Sequence, residues 1–241
     1  MKPIVITMGE PAGIGGELTL KAWKNRVASN LPVFFAIDDP ARLQAIDPEI
    51  PIKEIVAPQE ALSYFDSALP VLPLALSQRA EAGILNPVNG QAVLDSIRKA
   101  VSFCLEGQVA GLVTNPIHKA VLYDIGFNHP GHTEFIAHLC GKNETPVMML
   151  AAKDLRVVPL TVHIPLKEVP SQISQEMIIE KAKIIDRALR QDFGLETPRI
   201  AVAGLNPHAG EGGTIGTEDG DIITPAIQAL QEEGMTISGP Y

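Results

Sequence analysis

Short apolar runs alternate with longer segments of helical period along most of the chain. Ile4 to Thr7, Val33 to Ile37 and Val109 to Thr114 predict strands. Between Asn89 and Gly107, apolar residues recur at spacings of three and four and predict one buried helical stripe. By contrast, the Pro-rich stretch from Pro51 to Pro73 has little helical period and predicts an irregular surface excursion. The alternation is typical of an α/β fold, with helices packed on a largely parallel sheet.

The second half of the chain contains one different connection. Residues 147–152 and 155–162 predict two strands joined by a tight turn. Such a turn makes the two strands antiparallel, so a mixed sheet is expected. A long amphipathic helix follows from Ile173 to Leu189, and either Ser171 or Ser174 introduces it.

Composition limits the classes of partner. The chain has 241 residues, 46% of them hydrophobic, and a formal net charge of −9. This charge disfavours nucleic acid and anionic membrane surfaces as partners, and no apolar run reaches the ~18 residues of a membrane span. We therefore expect a cytoplasmic protein. The final residues, 237–241, lack the polar character of most natural termini, so we expect a chain that is cut at its C-terminal end.

Two histidines follow predicted strands directly. His163 comes after the strand ending near Val162, and His208 follows the strand ending near Leu205. Strand ends carry the sites of open α/β sheets, and imidazole is a frequent zinc ligand. A catalytic zinc usually takes three protein ligands, so two histidines leave the set incomplete. Taken alone, each histidine fits a hydrogen-bonded structural role better than a metal-binding one.

Two glycine-rich segments are ambiguous. The loop from Gly204 to Gly216 contains five glycines, which allow either close approach of the backbone to a ligand or a flexible surface connection. The segment from Gly9 to Gly16 follows the first strand but fits neither G-x-G-x-x-G nor the P-loop pattern. We therefore assign no residue of it to a dinucleotide.

A third segment places polar groups at the start of a helix. His132 and Thr133 follow Gly131, where a helix N-terminus would favour an anion such as phosphate. The alternative is that Thr133 only caps the helix and that His132 is solvated. Lys119 lies at another junction between strand and helix, where it would offset substrate charge or simply be solvated.

Three motifs together resemble one enzyme family. They are Gly9-Glu10-Pro11-Ala12-Gly13-Ile14-Gly15, Gly131-His132-Thr133-Glu134-Phe135 and Leu205-Asn206-Pro207-His208-Ala209-Gly210-Glu211-Gly212-Gly213. In this order they resemble the 4-hydroxythreonine-4-phosphate dehydrogenase family. The resemblance implies a three-layer α/β/α fold like that of isocitrate and isopropylmalate dehydrogenases. It also implies two subdomains around a cleft, here 1–125 and 126–241, and an active site completed across a homodimer interface.

The resemblance also implies roles for particular residues. His163 and His208 match two of the family's three metal-binding histidines, whereas His132 and Thr133 match residues that hold the phosphorylated substrate. Lys119 is the candidate catalytic residue. The cofactor-binding residues stay unassigned.

The implied reaction belongs to vitamin B6 synthesis. NAD or NADP would oxidise 4-phosphooxy-L-threonine at its 3-hydroxyl to 2-amino-3-oxo-4-phosphooxybutanoate, which would lose carbon dioxide to give 3-amino-2-oxopropyl phosphate. A divalent metal, zinc, magnesium or cobalt, would assist. Glu211 is expected to line the cleft. Glu10 and Asn115 depart from the residues more usual in the family, aspartate and often glycine, and could alter substrate preference.

Three alternatives remain open from the sequence. A dehydrogenase of 4-phosphorylated threonate or erythronate would share the histidines and the phosphate site. A non-catalytic fragment that keeps a phosphate or metal pocket would explain why the third metal histidine is not found. A phosphate acyltransferase would share a related α/β architecture, although the paired metal-type histidines argue against it.

Overall fold

The computed structural model describes residues 1–141, 146–208, 211 and 213–241. By internal contacts the chain forms two compact units, Met1–Pro146 and Val147–Tyr241. The subdomain boundary expected between residues 125 and 126 stays a prediction, since compactness alone does not define functional subdomains. No helix in the described part of the chain is both long and apolar enough to cross a membrane.

A parallel sheet with helices on both faces forms the first unit. Its strands are β1 (Ile4–Thr7), β2 (Phe34–Asp38), β3 (Ile52–Glu54), β4 (Leu69–Pro73) and β5 (Gly111–Val113). Its helices are α1 (Gly15–Lys24), α2 (Pro40–Ile46), α3 (Ala61–Tyr64), α4 (Gly90–Leu105), α5 (Lys119–Tyr123) and α6 (His132–Leu139). The strand order is β3-β4-β2-β1-β5, and every pair is parallel.

Successive residues of the central strands fill two different cores. Phe34 and Ala36 pack with residues of α1 and α2 on one face of the sheet. Phe35 and Ile37 pack with residues of α3 and α4 on the other face. Because strand side chains alternate between faces, the continuous apolar run of β2 is what a strand buried on both sides requires. The three-layer α/β/α arrangement is thus confirmed within this unit.

A buried ion pair holds the carboxyl end of β2. Nη1 of Arg42 donates to both carboxylate oxygens of Asp38 at 2.8 Å, and its Nε donates to the carbonyl oxygen of Pro11 at 3.0 Å. Burial raises the pKa of Asp38 to about 6, although the Arg42 charge and hydrogen bonds lower it in part. Arg42 therefore ties α2 both to the sheet and to the first glycine-rich loop.

The expectation for Pro51 to Pro73 was wrong, because this stretch contributes two strands to the sheet and a short helix. In parallel pairing, alternate residues bond to opposite neighbours. The backbone of Pro70 faces β2, but the pairing of β4 with β2 begins one residue later, at Val71. The backbone of Pro73 faces β3, but the pairing of β4 with β3 has already ended at Val71. The missing N–H groups of both prolines therefore break no ladder bond.

The second unit is smaller and contains less sheet. Its strands are β6 (Leu150–Ala152), β7 (Leu155–Val157), β8 (Ile200–Ala201) and β9 (Ile237–Ser238). Its helices are α7 (Val169–Gln172), α8 (Gln175–Gln191) and α9 (Thr224–Glu232), the last preceded by a π-helical turn at Asp219–Ile223. Apolar residues of α8 and α9 form its core, together with Ile223 and Ile237.

Three predictions about this unit have different outcomes. Ser174 is the residue that caps α8, since its hydroxyl accepts from the Met177 N–H at 3.2 Å. The antiparallel connection is also confirmed, as β6 pairs with β7. However, among the described residues this pair forms a sheet of its own, and the five-stranded sheet is wholly parallel. The expectation of one mixed sheet is corrected, because every residue of β6 and β7 is exposed and neither strand is buried as part of a larger sheet.

Candidate functional site

The start of α6 presents backbone N–H groups without a side-chain cap. Gly131 occupies the N-cap position in an extended conformation, and no side chain accepts a hydrogen bond there. Thr133 lies inside the first turn and is exposed, so the alternative in which Thr133 only caps the helix is wrong. The first-turn N–H groups and the helix dipole remain available to an anion.

Lys119 lies beside this helix start. A Cβ atom built on Gly131 would be 3.7 Å from Nζ of Lys119, so the ammonium group approaches the backbone where the helix begins. The two segments that the sequence identified separately, at Lys119 and at Gly131, are thus brought together. The same Cβ atom would lie 3.5 Å from Oε2 of Glu134, so an ammonium group and a carboxylate both lie beside the uncapped N–H groups.

His132 is half-buried between these features. Desolvation lowers the pKa of its imidazole, and the positive charge of Lys119 lowers it further. Its Nε2 atom is buried and makes no hydrogen bond to the described residues. Both causes favour the neutral imidazole, and its buried Nε2 is an unsatisfied polar atom among the described residues, which is unusual for a purely structural histidine.

The first glycine-rich loop is packed closely against the end of β5. Gly9 has φ +70°, and a Cβ there would lie 2.6 Å from Cβ of Asn115. Asn115 is buried, and its Nδ2 donates to the Thr7 carbonyl oxygen and the Thr19 hydroxyl, both at 2.9 Å. The glycines are thus required by internal packing, so we assign none of them to a dinucleotide. Asn115, singled out as a departure from the family, is a structural clamp here.

Glu10 lies at the turn of the same loop. It is buried, and one carboxylate oxygen accepts from the Ala12 N–H at 3.0 Å. The other oxygen, Oε2, makes no hydrogen bond to the described residues. The backbone N–H of Glu10 donates to the Pro116 carbonyl oxygen at 2.8 Å. The loop is therefore fixed to the segment that leads into α5 and Lys119.

In the second unit, His208 lies on a loop held by side chains that the sequence did not single out. The carboxylate of Asp219, which is buried, accepts from the N–H groups of Leu205 at 2.8 Å and Asn206 at 3.3 Å. The side-chain oxygen of Asn206 then accepts from the His208 N–H at 3.0 Å. Asn before Pro in the motif could have indicated this turn, whereas nothing local identifies Asp219.

The imidazole of His208 pairs with Glu211. Nδ1 of His208 and Oε1 of Glu211 are 3.1 Å apart, and both side chains are largely exposed, at 66% and 58%. Residues 209, 210 and 212 of the predicted glycine-rich loop lie outside the described residues. Nδ1 is thus engaged, and Nε2 is the ring atom that a metal could use.

His163 has a left-handed backbone, with φ 60°, and an exposed side chain. Neutral imidazoles suit zinc and neighbouring transition metals, so the donor chemistry of His163 and His208 fits a divalent metal. Within the described ranges, no group of three or more His, Cys, Asp or Glu side chains could hold a metal ion. Neither histidine therefore belongs to a complete donor set among the described residues.

Comparison with known proteins identifies close relatives of the whole chain. A family model described as pyridoxal phosphate biosynthetic protein PdxA matches residues 30–241. The 4-hydroxythreonine-4-phosphate dehydrogenase of Zymomonas mobilis is 45% identical over 242 residues, covering 100% of this chain and 72% of the relative. That of Methylorubrum populi is 44% identical, covering 99% of this chain and 71% of the relative.

Solved structures give the same result. The crystal structure of 4-hydroxythreonine-4-phosphate dehydrogenase from Klebsiella pneumoniae matches with a TM-score of 0.89 and 34% identity. The match covers 100% of this chain and 75% of that chain. Sequence similarity and the fold are therefore both shared along the chain's full length.

Proposed function

The chain belongs to the 4-hydroxythreonine-4-phosphate dehydrogenase family of pyridoxal phosphate biosynthesis, and we propose that it oxidises 4-phosphooxy-L-threonine at the 3-hydroxyl with NAD or NADP, using a divalent metal. Carbon dioxide is then lost from the resulting amino keto acid. The observation that carries the phosphate part of this proposal is the uncapped start of α6 beside the Lys119 ammonium group.

The phosphate of the substrate binds at the start of α6. Backbone N–H groups of the first turn donate to its oxygens, and the exposed hydroxyl of Thr133 adds a further donor. Lys119 balances the charge of the dianion. The lowered pKa of His132 favours its neutral ring, which can donate a hydrogen bond to a phosphate oxygen through one nitrogen.

His163 and His208 hold the metal. When bound, a divalent metal would polarise the substrate's 3-hydroxyl and favour loss of its proton, and the nicotinamide would accept the hydride. Zinc or cobalt suits two imidazoles better than magnesium does, because magnesium prefers oxygen ligands. The other ligands of the metal come from groups other than these two histidines. We also propose a homodimer as the assembled form.

The experiment follows substrate binding and turnover separately. Calorimetry with 4-phosphooxy-L-threonine measures affinity, and absorbance of the reduced cofactor measures turnover in the presence of zinc or cobalt. Lys119→Met should weaken substrate binding about tenfold, as expected for the loss of one charge-assisted contact. Lys153→Met, which removes an exposed lysine from the β6–β7 turn, serves as the matched control.

The choice of substrate is tested in the same assay. 4-Phosphothreonate lacks the amino group but keeps the phosphate, so stronger turnover with 4-phosphothreonate would favour the sugar-acid alternative. If neither compound binds to folded protein, the proposed function is wrong. If substrate binding is unaffected by Lys119→Met, the phosphate site is not at the start of α6.

A further inference from the structure

Glu211 is in hydrogen-bonding contact with a proposed metal ligand. Its Oε1 is 3.1 Å from Nδ1 of His208, and its backbone N–H donates to the His208 carbonyl oxygen at 3.0 Å. In a neutral imidazole, one ring nitrogen carries the proton and the other carries the lone pair. An ionised carboxylate only accepts, so this contact keeps the proton on Nδ1 and leaves the lone pair on Nε2.

Resting on the metal role proposed above for His208, we infer that Glu211 is a positioning residue that fixes the tautomer and orientation in which Nε2 of His208 binds the metal. Ligating histidines commonly donate their second ring N–H to a carboxylate, and such partners raise the basicity of the ligand. Glu211 itself need not touch the metal for this effect.

The backbone around the pair supports this role. Glu211 has φ 42°, in the left-handed region that non-glycine residues seldom adopt. Its carbonyl oxygen accepts from the Thr214 hydroxyl, and the His208 N–H is held by Asn206. Both ends of the contact are thus anchored by hydrogen bonds of their own, and the backbone of Glu211 is strained while it makes the contact.

A role in stability alone explains the pair less well. Both side chains are more than half exposed, and exposed ion pairs contribute little to folding. Keeping Glu211 in a strained conformation for so small a gain would be a net cost. Orientation of the ring is the function that requires this geometry.

The first test uses the metal-free chain. Nitrogen NMR of the histidine rings reports which ring nitrogen is protonated. We expect His208 to carry its proton on Nδ1 in the wild type and to lose this preference in Glu211→Ala. Glu211→Gln, whose amide can donate as well as accept, should give a mixture. Glu232→Gln removes the same charge from an exposed position on α9 and should change nothing.

The second test measures Co²⁺ affinity by competition with a chromophoric chelator. Glu211→Ala should weaken binding roughly 10- to 100-fold, the range found for partners that support metal ligands, and Glu211→Gln should have a smaller effect. Circular dichroism of each variant verifies folding. Because the glutamine variant is nearly isosteric, it keeps the test meaningful if the alanine variant unfolds.

The outcomes separate this inference from the proposed function. If the wild-type chain binds Co²⁺ and Glu211→Ala binds it equally well, the inference is wrong and the metal role of the histidines survives. If the wild-type ring has the expected tautomer but no Co²⁺ binds, the proposed metal role fails instead. A wild-type proton on Nε2 contradicts the inference directly.

Discussion

Replacing His163 by glycine should stabilise the metal-free chain relative to its alanine variant, even though glycine usually destabilises a protein. His163 has φ 60° and an exposed side chain, so either substitution loses little packing. A left-handed backbone costs a non-glycine residue about 1–2 kcal/mol. Glycine removes that cost but adds about 0.4–1 kcal/mol of unfolded-state entropy.

The net difference between the two variants is therefore about 1 kcal/mol in favour of His163→Gly. Urea denaturation measures this difference directly, and thermal unfolding should show a gap of roughly 2–4 °C for a chain of this size. Both variants remove the imidazole, so both should bind Co²⁺ more weakly than the wild type. The glycine variant would thus be more stable than the alanine variant, while it binds Co²⁺ more weakly than the wild type.

Two results would refute the reasoning. If His163→Gly is no more stable than His163→Ala, the backbone at this position is not strained in solution. If His163→Gly binds Co²⁺ as tightly as the wild type, His163 is not a metal ligand. The alanine variant separates the two possibilities, because it keeps the backbone strain while losing the side chain.

Two further predictions concern charged groups of the first unit. Lys119→Met should raise the pKa of His132 toward its ordinary value, because one of the two causes that lower it is removed; proton NMR titration of the ring measures this. Arg42→Met should destabilise the chain by about 3–5 kcal/mol, since it leaves the buried carboxylate of Asp38 without its partner. Arg42 lowers the pKa of Asp38, which is about 6 in the wild type, so the variant should ionise Asp38 only at higher pH. In urea denaturation the loss should therefore grow as the pH rises above about 6, because there the folded wild type releases the Asp38 proton and the folded variant still binds it.

Local sequence signals explain which elements could be predicted from sequence. β1 was predicted with its observed bounds, and the end of α4 was indicated by Gly107, which adopts φ +67°. Both rest on local signals, namely an apolar run and a residue that tolerates a left-handed backbone. β4 was missed because its prolines argue locally against a strand, and only the neighbouring register shows that they break no bond.

The residue types of the candidate site could be predicted from sequence, but their arrangement in space could not. Motifs indicated His132 and His208 as candidates, but the approach of Lys119 to Gly131 depends on how two separate segments pack. Asp219 was missed because it lies on another turn, 14 positions from Leu205, whose N–H donates a hydrogen bond to its carboxylate. Long-range contacts of this kind leave no periodic signal in the sequence.

Backbone strain provides support for the proposed metal role that is independent of the motifs. In the described part of the chain, the non-glycine residues with positive φ are Asn30, His163 and Glu211. Asparagine and histidine adopt this conformation more often than most side chains do, whereas glutamate seldom adopts it. Strain of this kind persists where surrounding structure enforces it, and it concentrates at functional sites. Because glycine would adopt either backbone at lower cost, the side chains of His163 and Glu211 at these positions support the metal role proposed for this part of the chain.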